Sequence, residues 1–203
     1  GMGQRLASTW PEAAEVFRTA DAVLGERLSR TIFEGPAEDL RLTRNTQPAL
    51  LTVSTAAWRV LETRLPMPVV GAGHSLGEYS ALVSAGVISF EDGLRAVRLR
   101  GEAMQEAVPP GEGAMAAVIG LDAASVEALC RQAREGNEVL VPANFNAPDQ
   151  IVIAGHKAAV ERFIELAPEA GAKKVVPLPV SAPFHSPLMR PAATRLAEFL
   201  AGV

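Results

Sequence analysis

The chain has 203 residues, of which 48% are hydrophobic and 21% are charged, and its formal net charge is −4. This balance excludes a disordered tail, and the negative charge argues against non-specific nucleic-acid binding. No run approaches the roughly 18 apolar residues of a membrane-spanning helix, and no secretory pattern opens the chain. The single cysteine, Cys130, cannot close an internal disulfide or build a zinc site, and we expect it to be a buried apolar side chain. We therefore expect a cytoplasmic protein with no membrane segment, nucleic-acid partner or bound metal.

Helical patterns dominate the first half of the chain. Apolar residues at helical spacing predict four helices, which begin near Pro11, after Asn45–Thr46, after Ser75 and after Ser89. Pro66-Met67-Pro68 interrupts this pattern, and the apolar run Val69–Ala72 predicts a short buried strand. Asp92 stands three residues after Ser89, which indicates a helix cap at that point.

The pattern changes after Pro109-Pro110-Gly111, the clearest linker in the chain. Four strands are predicted over 114–121, 138–141, 150–154 and 174–180. Helices are predicted over 122–134, 157–167 and 187–200. The order β-α-β-β-α-β is typical of a ferredoxin-like unit. We therefore predict an α/β protein in which a ferredoxin-like subdomain over 111–181 interrupts a larger core formed by 1–110 and 182–203.

The segment Gly73–Gly77 carries a G-x-S-x-G pattern between the predicted strand and the following helix. In that context the pattern predicts a nucleophilic serine, Ser75, on a tight turn where small residues let the backbone fold back. The N–H of Leu76 would then donate to a developing oxyanion at a helix N-terminus. The alternative interpretation is a structural turn that is merely rich in small residues.

A serine nucleophile needs a base, and the chain offers three histidines. His74 adjoins Ser75, and since neighbours on a tight turn point apart, we expect it to shape the pocket instead. His156 follows a strand and is expected to be a solvated surface residue. His185 lies in the loop 181–187, which two prolines constrain, and it is the predicted base. The alternative is a loop histidine without a role.

Arg100 lies at the edge of a predicted apolar stripe, whereas Arg95 on the same helix points nearly the opposite way. The stripe is formed by Phe90, Leu94, Val97, Gly101 and Met104. A guanidinium in this position needs an anionic partner because its desolvation is costly. A ligand carboxylate could form a bidentate pair that lysine could not copy. A salt bridge to another part of the protein would satisfy Arg100 equally well.

Asn144 and Asn146 close a predicted strand before Pro148. We expect them to face opposite sides of that strand, so that at most one amide points into a site. A turn before Pro148 is the alternative interpretation.

Taken together, these motifs resemble the malonyl-CoA:acyl-carrier-protein transacylases, a group that includes the acyltransferase domains of polyketide synthases. The resemblance rests on the segments 73–81, Gln47-Pro48-Ala49, Arg100-Gly101, Asn144-Phe145-Asn146, Val152–Gly155 and Pro183–Ser186. It implies an α/β-hydrolase-like core that carries an inserted ferredoxin-like subdomain. It also implies transfer of a malonyl group from coenzyme A to acyl carrier protein, with the coenzyme A thioester as substrate and no permanently bound cofactor.

The resemblance further implies a role for each matching residue. Ser75 would carry the malonyl ester, His185 would act as base and then acid, and Arg100 would hold the malonyl carboxylate. Leu76 would donate its N–H to the oxyanion. The residues that would line the site are His74, Asn144, Asn146 and Phe184. Because family members begin earlier and continue further, we expect the chain to be truncated at both ends and poorly active alone.

Two other functions remain open at the level of sequence. A serine esterase or thioesterase would need an acid between Ser75 and His185, and the aspartates there are Asp92, Asp122 and Asp149. None of them is expected near His185, and hydrolysis gives no reason for Arg100. A non-catalytic module that docks acyl carrier protein would need a basic patch, for which the candidates are Lys173, Lys174, Arg190 and Arg195.

Overall fold

A computed structural model describes residues 1–180 and 182–203. The chain is mixed α/β and divides into two compact units. One unit comprises Gly1–Glu102 with Leu196–Val203, and the other comprises Ala103–Arg195. Ser181, the first residue of the predicted histidine loop, lies outside the described residues.

The first unit is built from helices. Its described helices are α1 (Gln4–Thr9), α2 (Pro11–Leu24), α3 (Leu28–Glu34), α4 (Ala37–Arg41), α5 (Thr43–Leu61), α6 (Gly77–Ser84) and most of α7 (Phe90–Glu106). Pro11 occupies the first turn of α2, where its missing N–H costs nothing, and Gly25 ends that helix in a left-handed conformation. Apolar faces of these helices form one core, to which Phe17, Leu51 and Leu94 contribute.

The caps of α5 and α7 differ in how well the sequence predicts them. Ser89 caps α7 as expected, because its Oγ accepts a hydrogen bond from the Asp92 N–H at 3.0 Å. Helix α5 instead begins at Thr43, before the predicted start. Asn45 and Thr46 do not cap it, since their side chains donate back to the carbonyls of Asp39 and Leu40.

The predicted strand at Val69–Ala72 is wrong. These residues have no regular structure, and Val69 and Val70 are 99% and 81% exposed. A buried strand requires neighbouring strands that bind its backbone, and no described residue of the chain pairs with this segment. The apolar run therefore precedes Ser75 as an exposed, irregular stretch.

The second unit contains a four-stranded antiparallel sheet with the order β2-β3-β1-β4. Its elements follow the chain as β1 (Gly113–Ile119), α8 (Ala123–Ala133), β2 (Leu140–Ala147), β3 (Gln150–His156), α9 (Lys157–Leu166) and β4 (Lys174–Pro177). A 3-10 turn (Pro187–Met189) leads into α10 (Arg190–Leu200), whose last turns from Leu196 belong to the first unit.

Helices α8 and α9 of this unit each pack an apolar face on one core. Asp122 caps α8 by accepting a hydrogen bond from the Ser125 N–H at 2.8 Å. Val126 from α8, Phe163 from α9 and Ile153 from β3 are almost completely buried in this core. Cys130 is only 2% exposed there, so the expectation of a buried apolar side chain is confirmed. No helix within 1–180 or 182–203 is long and apolar enough to cross a membrane.

Candidate active site

Ser75 lies in the turn that leads into α6, with its side chain half-buried and a φ of 53°. Non-glycine residues rarely adopt positive φ, and such strain concentrates at functional sites. The turn is tight because Gly73 passes directly over the start of the helix. A Cβ atom at Gly73 would lie 1.8 Å from the carbonyl carbon of Gly77, whereas a Cβ at Gly77 would meet nothing within 4 Å. The backbone of this turn therefore requires a glycine at Gly73, whereas Gly77 leaves room for a side chain.

Leu76 follows Ser75 at the N-cap of α6, and its side chain belongs to the core of the first unit. The turn is closed by the Gly77 N–H, which donates to the His74 carbonyl at 2.9 Å. The N–H of Leu76, one residue before Gly77, is one of the amides at a helix start that have no intrahelical acceptor. His74 itself is exposed.

Arg100 on α7 reaches the same turn. Its Nη2 donates a hydrogen bond to Ser75 Oγ at 3.0 Å, and its Nη1 donates to Gln47 Oε1 at 2.6 Å. The ring of Tyr79 lies 5.8 Å from the guanidinium carbon. None of the ion pairs among residues 1–180 and 182–203 includes Arg100. The cation is thus held by neutral groups next to a serine hydroxyl.

The electrostatics of this cluster follow from its burial. Desolvation lowers the pKa of Arg100 below its ordinary value, while the nearby Tyr79 and Glu78 act in the opposite direction. Burial also raises the pKa of the Tyr79 hydroxyl, although the charge of Arg100 works against that shift. A guanidinium remains protonated in proteins, so the charge persists at neutral pH. Arg100 therefore presents a partly desolvated positive charge beside Ser75.

Gly101 explains how Arg100 comes so close to α5. A Cβ atom at Gly101 would lie 2.6 Å from Arg44 Cα and 2.8 Å from the Thr43 carbonyl oxygen. The backbones of α5 and α7 therefore touch at this glycine, one residue after Arg100. Gln47, one turn along α5, was not among the site residues predicted from sequence. The feature that could have identified Gln47 is a polar side chain at a buried position of an amphipathic helix, since Gln47 is only 6% exposed.

His185 lies in the second unit with its side chain exposed. Its φ is 58°. Among the described residues, Ser75 and His185 are the two non-glycine residues with a positive φ. The turn is held by Ser186 Oγ, which donates to the Pro183 carbonyl at 2.7 Å. Pro183 packs so closely on Gly113 that a Cβ there would lie 2.3 Å from the proline Cδ. This loop histidine therefore has a fixed and strained backbone.

Phe184, Asn144 and Asn146 also lie in the second unit. Phe184 packs against a small cluster that includes Met115, Val152 and Ala154. Asn144 is half-buried and Asn146 is exposed, and both lie within β2. Residues two apart on a regular strand share a face, so regular alternation does not by itself predict that these two amides face opposite sides. Register shifts at 142–144 and 145–147 interrupt this periodicity in β2.

His156 is not the solvated surface residue that the sequence predicted. It is half-buried at the N-cap of α9, and its Nδ1 accepts a hydrogen bond from the Val139 N–H at 2.8 Å. The imidazole thereby joins the end of β3 to the residue before β2. His156 has a structural role in the sheet.

The charged residues considered for the two other functions lie at caps, turns and surfaces. Asp92 and Asp122 are engaged in helix caps, and Asp149 is exposed in the turn between β2 and β3. Lys173, Lys174 and Arg190 are exposed, whereas Arg195 forms an ion pair with Glu106 at 2.5 Å. Within the described part of the chain, no group of three His, Cys, Asp or Glu residues could hold a metal ion.

Comparison with known proteins gives consistent matches over the whole chain. The model of a family described as "Acyl transferase domain" matches residues 1–203. A malonyl CoA-acyl carrier protein transacylase of Salmonella typhimurium is 53% identical over 204 residues, which cover 100% of this chain and 66% of that protein. The crystal structure of an acyl carrier protein S-malonyltransferase from Vibrio cholerae is 52% identical, with a TM-score of 0.96, over 100% of this chain and 66% of that one.

A further similar structure is a complex of a type II PKS acyl-carrier protein with its malonyl-transacylase. It is 50% identical to this chain, with a TM-score of 0.96, and the match covers 100% of this chain and 66% of that one. The chain therefore spans slightly less than two thirds of the length of these relatives.

Proposed function

Because the chain belongs to the acyl transferase domain family, we propose that it transfers a malonyl group from coenzyme A to the phosphopantetheine thiol of an acyl carrier protein. One observation carries the proposal. The half-buried hydroxyl of Ser75 accepts a hydrogen bond from Arg100, whose guanidinium forms no ion pair with a carboxylate in the described chain. A nucleophile next to such a cation suits an acyl group that carries a free carboxylate.

In the proposed reaction, Ser75 Oγ attacks the thioester carbonyl of malonyl-CoA while His185 accepts the hydroxyl proton. The Leu76 N–H donates to the oxyanion that develops on the carbonyl oxygen. Collapse of this intermediate breaks the carbon–sulfur bond, and coenzyme A leaves as a thiol with the proton from His185. Arg100 holds the malonyl carboxylate through two parallel hydrogen bonds.

The second half of the reaction reverses these steps with a different thiol. His185 accepts the proton of the phosphopantetheine thiol, whose sulfur attacks the Ser75 ester. The carbon–oxygen bond of the ester breaks, and Ser75 regains its proton from His185. In this proposal the lining of the site includes His74, Asn144, Asn146 and Phe184. The strained backbone at both Ser75 and His185 supports their assignment as the reacting pair.

The fold that we propose for this reaction is a ferredoxin-like subdomain over 111–181 inserted into an α/β-hydrolase-like core over 1–110 and 182–203. The β-α-β-β-α-β order and the antiparallel strand order β2-β3-β1-β4 support the subdomain. The tight turn at Gly73–Ser75 before a helix supports the hydrolase-like core.

An acyl carrier protein is the acceptor in this proposal. A similar solved structure is a complex between such a carrier protein and its malonyl-transacylase, which supports the same kind of acceptor here. Hydrolysis is less well supported, since Arg100 has no function in a simple esterase and Asp92 and Asp122 are engaged in helix caps.

The proposal is tested by supplying malonyl-CoA together with a holo acyl carrier protein and measuring both products by mass spectrometry. We expect malonylated carrier protein to exceed free malonate, and we expect Ser75→Ala to abolish transfer while it leaves carrier binding intact. Excess free malonate would identify a hydrolase. Carrier binding without any transfer by the wild-type protein would identify a docking module.

A further inference from the structure

We propose that Gln47 is a positioning residue, which fixes the guanidinium of Arg100 in the plane that the substrate carboxylate needs. This inference rests on the acyl transfer proposed above, because it assigns Gln47 a part in selecting the acyl group. It is carried by the hydrogen bond from Arg100 Nη1 to Gln47 Oε1, at 2.6 Å, and by the burial of the Gln47 side chain.

The chemistry of an amide suits this task better than that of a carboxylate. A guanidinium has five N–H donors in a fixed fork, and the Gln47 oxygen occupies one of them without cancelling the positive charge. A glutamate in the same place would form an ion pair and neutralise the site before substrate arrives. Gln47 therefore restrains Arg100 while it leaves the charge for the ligand.

The backbone around Gln47 makes the restraint rigid. Gly101 lets the backbone of α7 lie directly against that of α5 at Arg44, so a short, close contact joins the two helices next to Arg100. Pro48 follows Gln47 within α5, and the Thr52 hydroxyl donates to the Pro48 carbonyl at 2.7 Å. Arg100 is thus fixed at both ends, by Gly101 next to its Cα and by Gln47 at its guanidinium.

This arrangement leads to a specific kinetic expectation. The hydrogen bond described above joins Gln47 to the guanidinium of Arg100 and not to the proposed oxyanion donor, so we expect its loss to leave the chemistry at Ser75 unimpaired. The loss should instead let the guanidinium rotate away from the plane that a bidentate carboxylate pair requires. Malonyl-CoA should therefore bind less well, whereas acetyl-CoA, which has no free carboxylate, should be affected little.

The test uses Gln47→Met, which keeps the volume of the side chain and removes the acceptor, and Gln47→Glu, which adds a charge. Thr55→Val is the matched control, because Thr55 is also a buried polar residue of α5. We expect Gln47→Met to lower kcat/KM for malonyl-CoA by about tenfold, mainly through KM, as for loss of a hydrogen bond to a charged group. Acetyl-CoA should load at an unchanged rate, Gln47→Glu should lose more malonyl loading than Gln47→Met, and Thr55→Val should match the wild type.

A second measurement does not depend on turnover. In ¹⁵N NMR spectra, a restrained guanidinium gives separate Nη1 and Nη2 resonances, because rotation about its Nε–Cζ bond is slow. We expect such signals for Arg100 in the wild type and in Thr55→Val, and averaged signals in Gln47→Met. Equal Nη spectra in wild type and Gln47→Met would overturn the inference, even if Gln47→Met were too unstable for kinetics at assay temperature.

The outcomes separate this inference from the proposed function. If the wild type forms a malonyl ester and Gln47→Met keeps the same KM and the same preference for malonyl over acetyl groups, acyl transfer stands and the role of Gln47 is refuted. If the wild type forms no malonyl ester, the proposed function fails. In that case the NMR comparison still decides whether Gln47 restrains Arg100.

Discussion

Arg100 donates a hydrogen bond from Nη2 to Ser75 Oγ at 3.0 Å, so the guanidinium and the proposed nucleophile are in direct contact. A malonyl ester on Ser75 would carry its carboxylate three bonds from Oγ, within reach of the same guanidinium. An acetyl ester would carry no such group. In the proposed reaction this contact would supply a physical basis for choosing one acyl group over another, since only the malonyl unit would gain a charge-assisted pair.

The tight turn before α6 predicts opposite behaviour for its two glycines. Gly73→Ala would place a Cβ 1.8 Å from backbone atoms of Gly77, so the turn must open and Ser75 must move. We expect the rate at which an active-site-directed sulfonyl fluoride labels Ser75 to fall by more than about tenfold, as for a displaced nucleophile. Gly77→Ala, which meets nothing within 4 Å, is the matched control and should label normally. Equal labelling of the two variants would contradict this account of the turn.

The contact between α5 and α7 predicts that Gly101 cannot be replaced by alanine without cost. Alanine favours a helix over glycine by roughly 0.5–1 kcal/mol, but a Cβ at Gly101 would overlap the backbone at Arg44 and Thr43. We expect Gly101→Ala to lower the free energy of unfolding by about 1–3 kcal/mol, as in other overpacked sites, and to weaken malonyl loading. Gly93→Ala, whose Cβ would first meet side-chain methyl groups of Val83 and Leu51, should cost less in urea unfolding. A larger loss for Gly93→Ala would show that the Gly101 contact is not the tighter one.

Thr55 provides a stability test away from the site. Its Oγ1 is buried and has no hydrogen-bond partner within the described residues, whereas Thr52 Oγ1 donates to the Pro48 carbonyl. An unpaired buried polar group costs about 1–3 kcal/mol, so Thr55→Val should leave stability unchanged or raise it. Thr52→Val removes a bond that is made and should lower the free energy of unfolding by about 1 kcal/mol. Urea unfolding measures the free energy of unfolding of both variants. A greater loss for Thr55→Val than for Thr52→Val would be inconsistent with this hydrogen bonding.

Burial of Cys130 predicts that the stability of the fold depends on pH in the alkaline range. Burial raises the pKa of its thiol to about 12, from an ordinary value near 9.0. Because the folded state keeps the proton more tightly, this group stabilises the fold below about pH 9, and that contribution is lost as pH rises towards 12. We expect Cys130→Ala to show a smaller loss of stability between those pH values than the wild type. Native Cys130 should also resist iodoacetamide at pH 8 until urea unfolds the protein, and rapid alkylation of the native thiol would be the contrary result.

Most elements of the second unit follow from local sequence signals, whereas several features of the first do not. Strands β1, β3 and β4 and helices α8 and α9 lie where apolar periodicity and the Asp122 cap predict them. Val69–Ala72 has the composition of a buried strand but is exposed, because pairing depends on partner strands that local sequence cannot supply. The short helices α1, α3 and α4 have too few turns for a periodic pattern to be recognised.

The candidate site shows the same division between local and distant information. The tight turn at Ser75 follows from Gly73 and its neighbours, all within five consecutive residues. Arg100 could be identified as a cation at the edge of an apolar stripe, but spacing alone did not distinguish a ligand carboxylate from a salt bridge within the protein. Gln47 lies 53 residues before Arg100, and only the approach of α5 to α7 at Gly101 reveals their contact.

The most direct measurement is the intact mass of the protein after it is mixed with malonyl-CoA or acetyl-CoA. Wild type, Ser75→Ala, Arg100→Ala and Arg95→Ala should be compared, since Arg95 lies exposed on the same helix as Arg100. The account predicts a malonyl adduct on wild type and Arg95→Ala, none on Ser75→Ala, and a loss of about 100-fold in malonyl but not acetyl loading for Arg100→Ala, as for loss of two charge-assisted hydrogen bonds. An adduct that persists in Ser75→Ala, or equal malonyl loading by Arg100→Ala and Arg95→Ala, would contradict it.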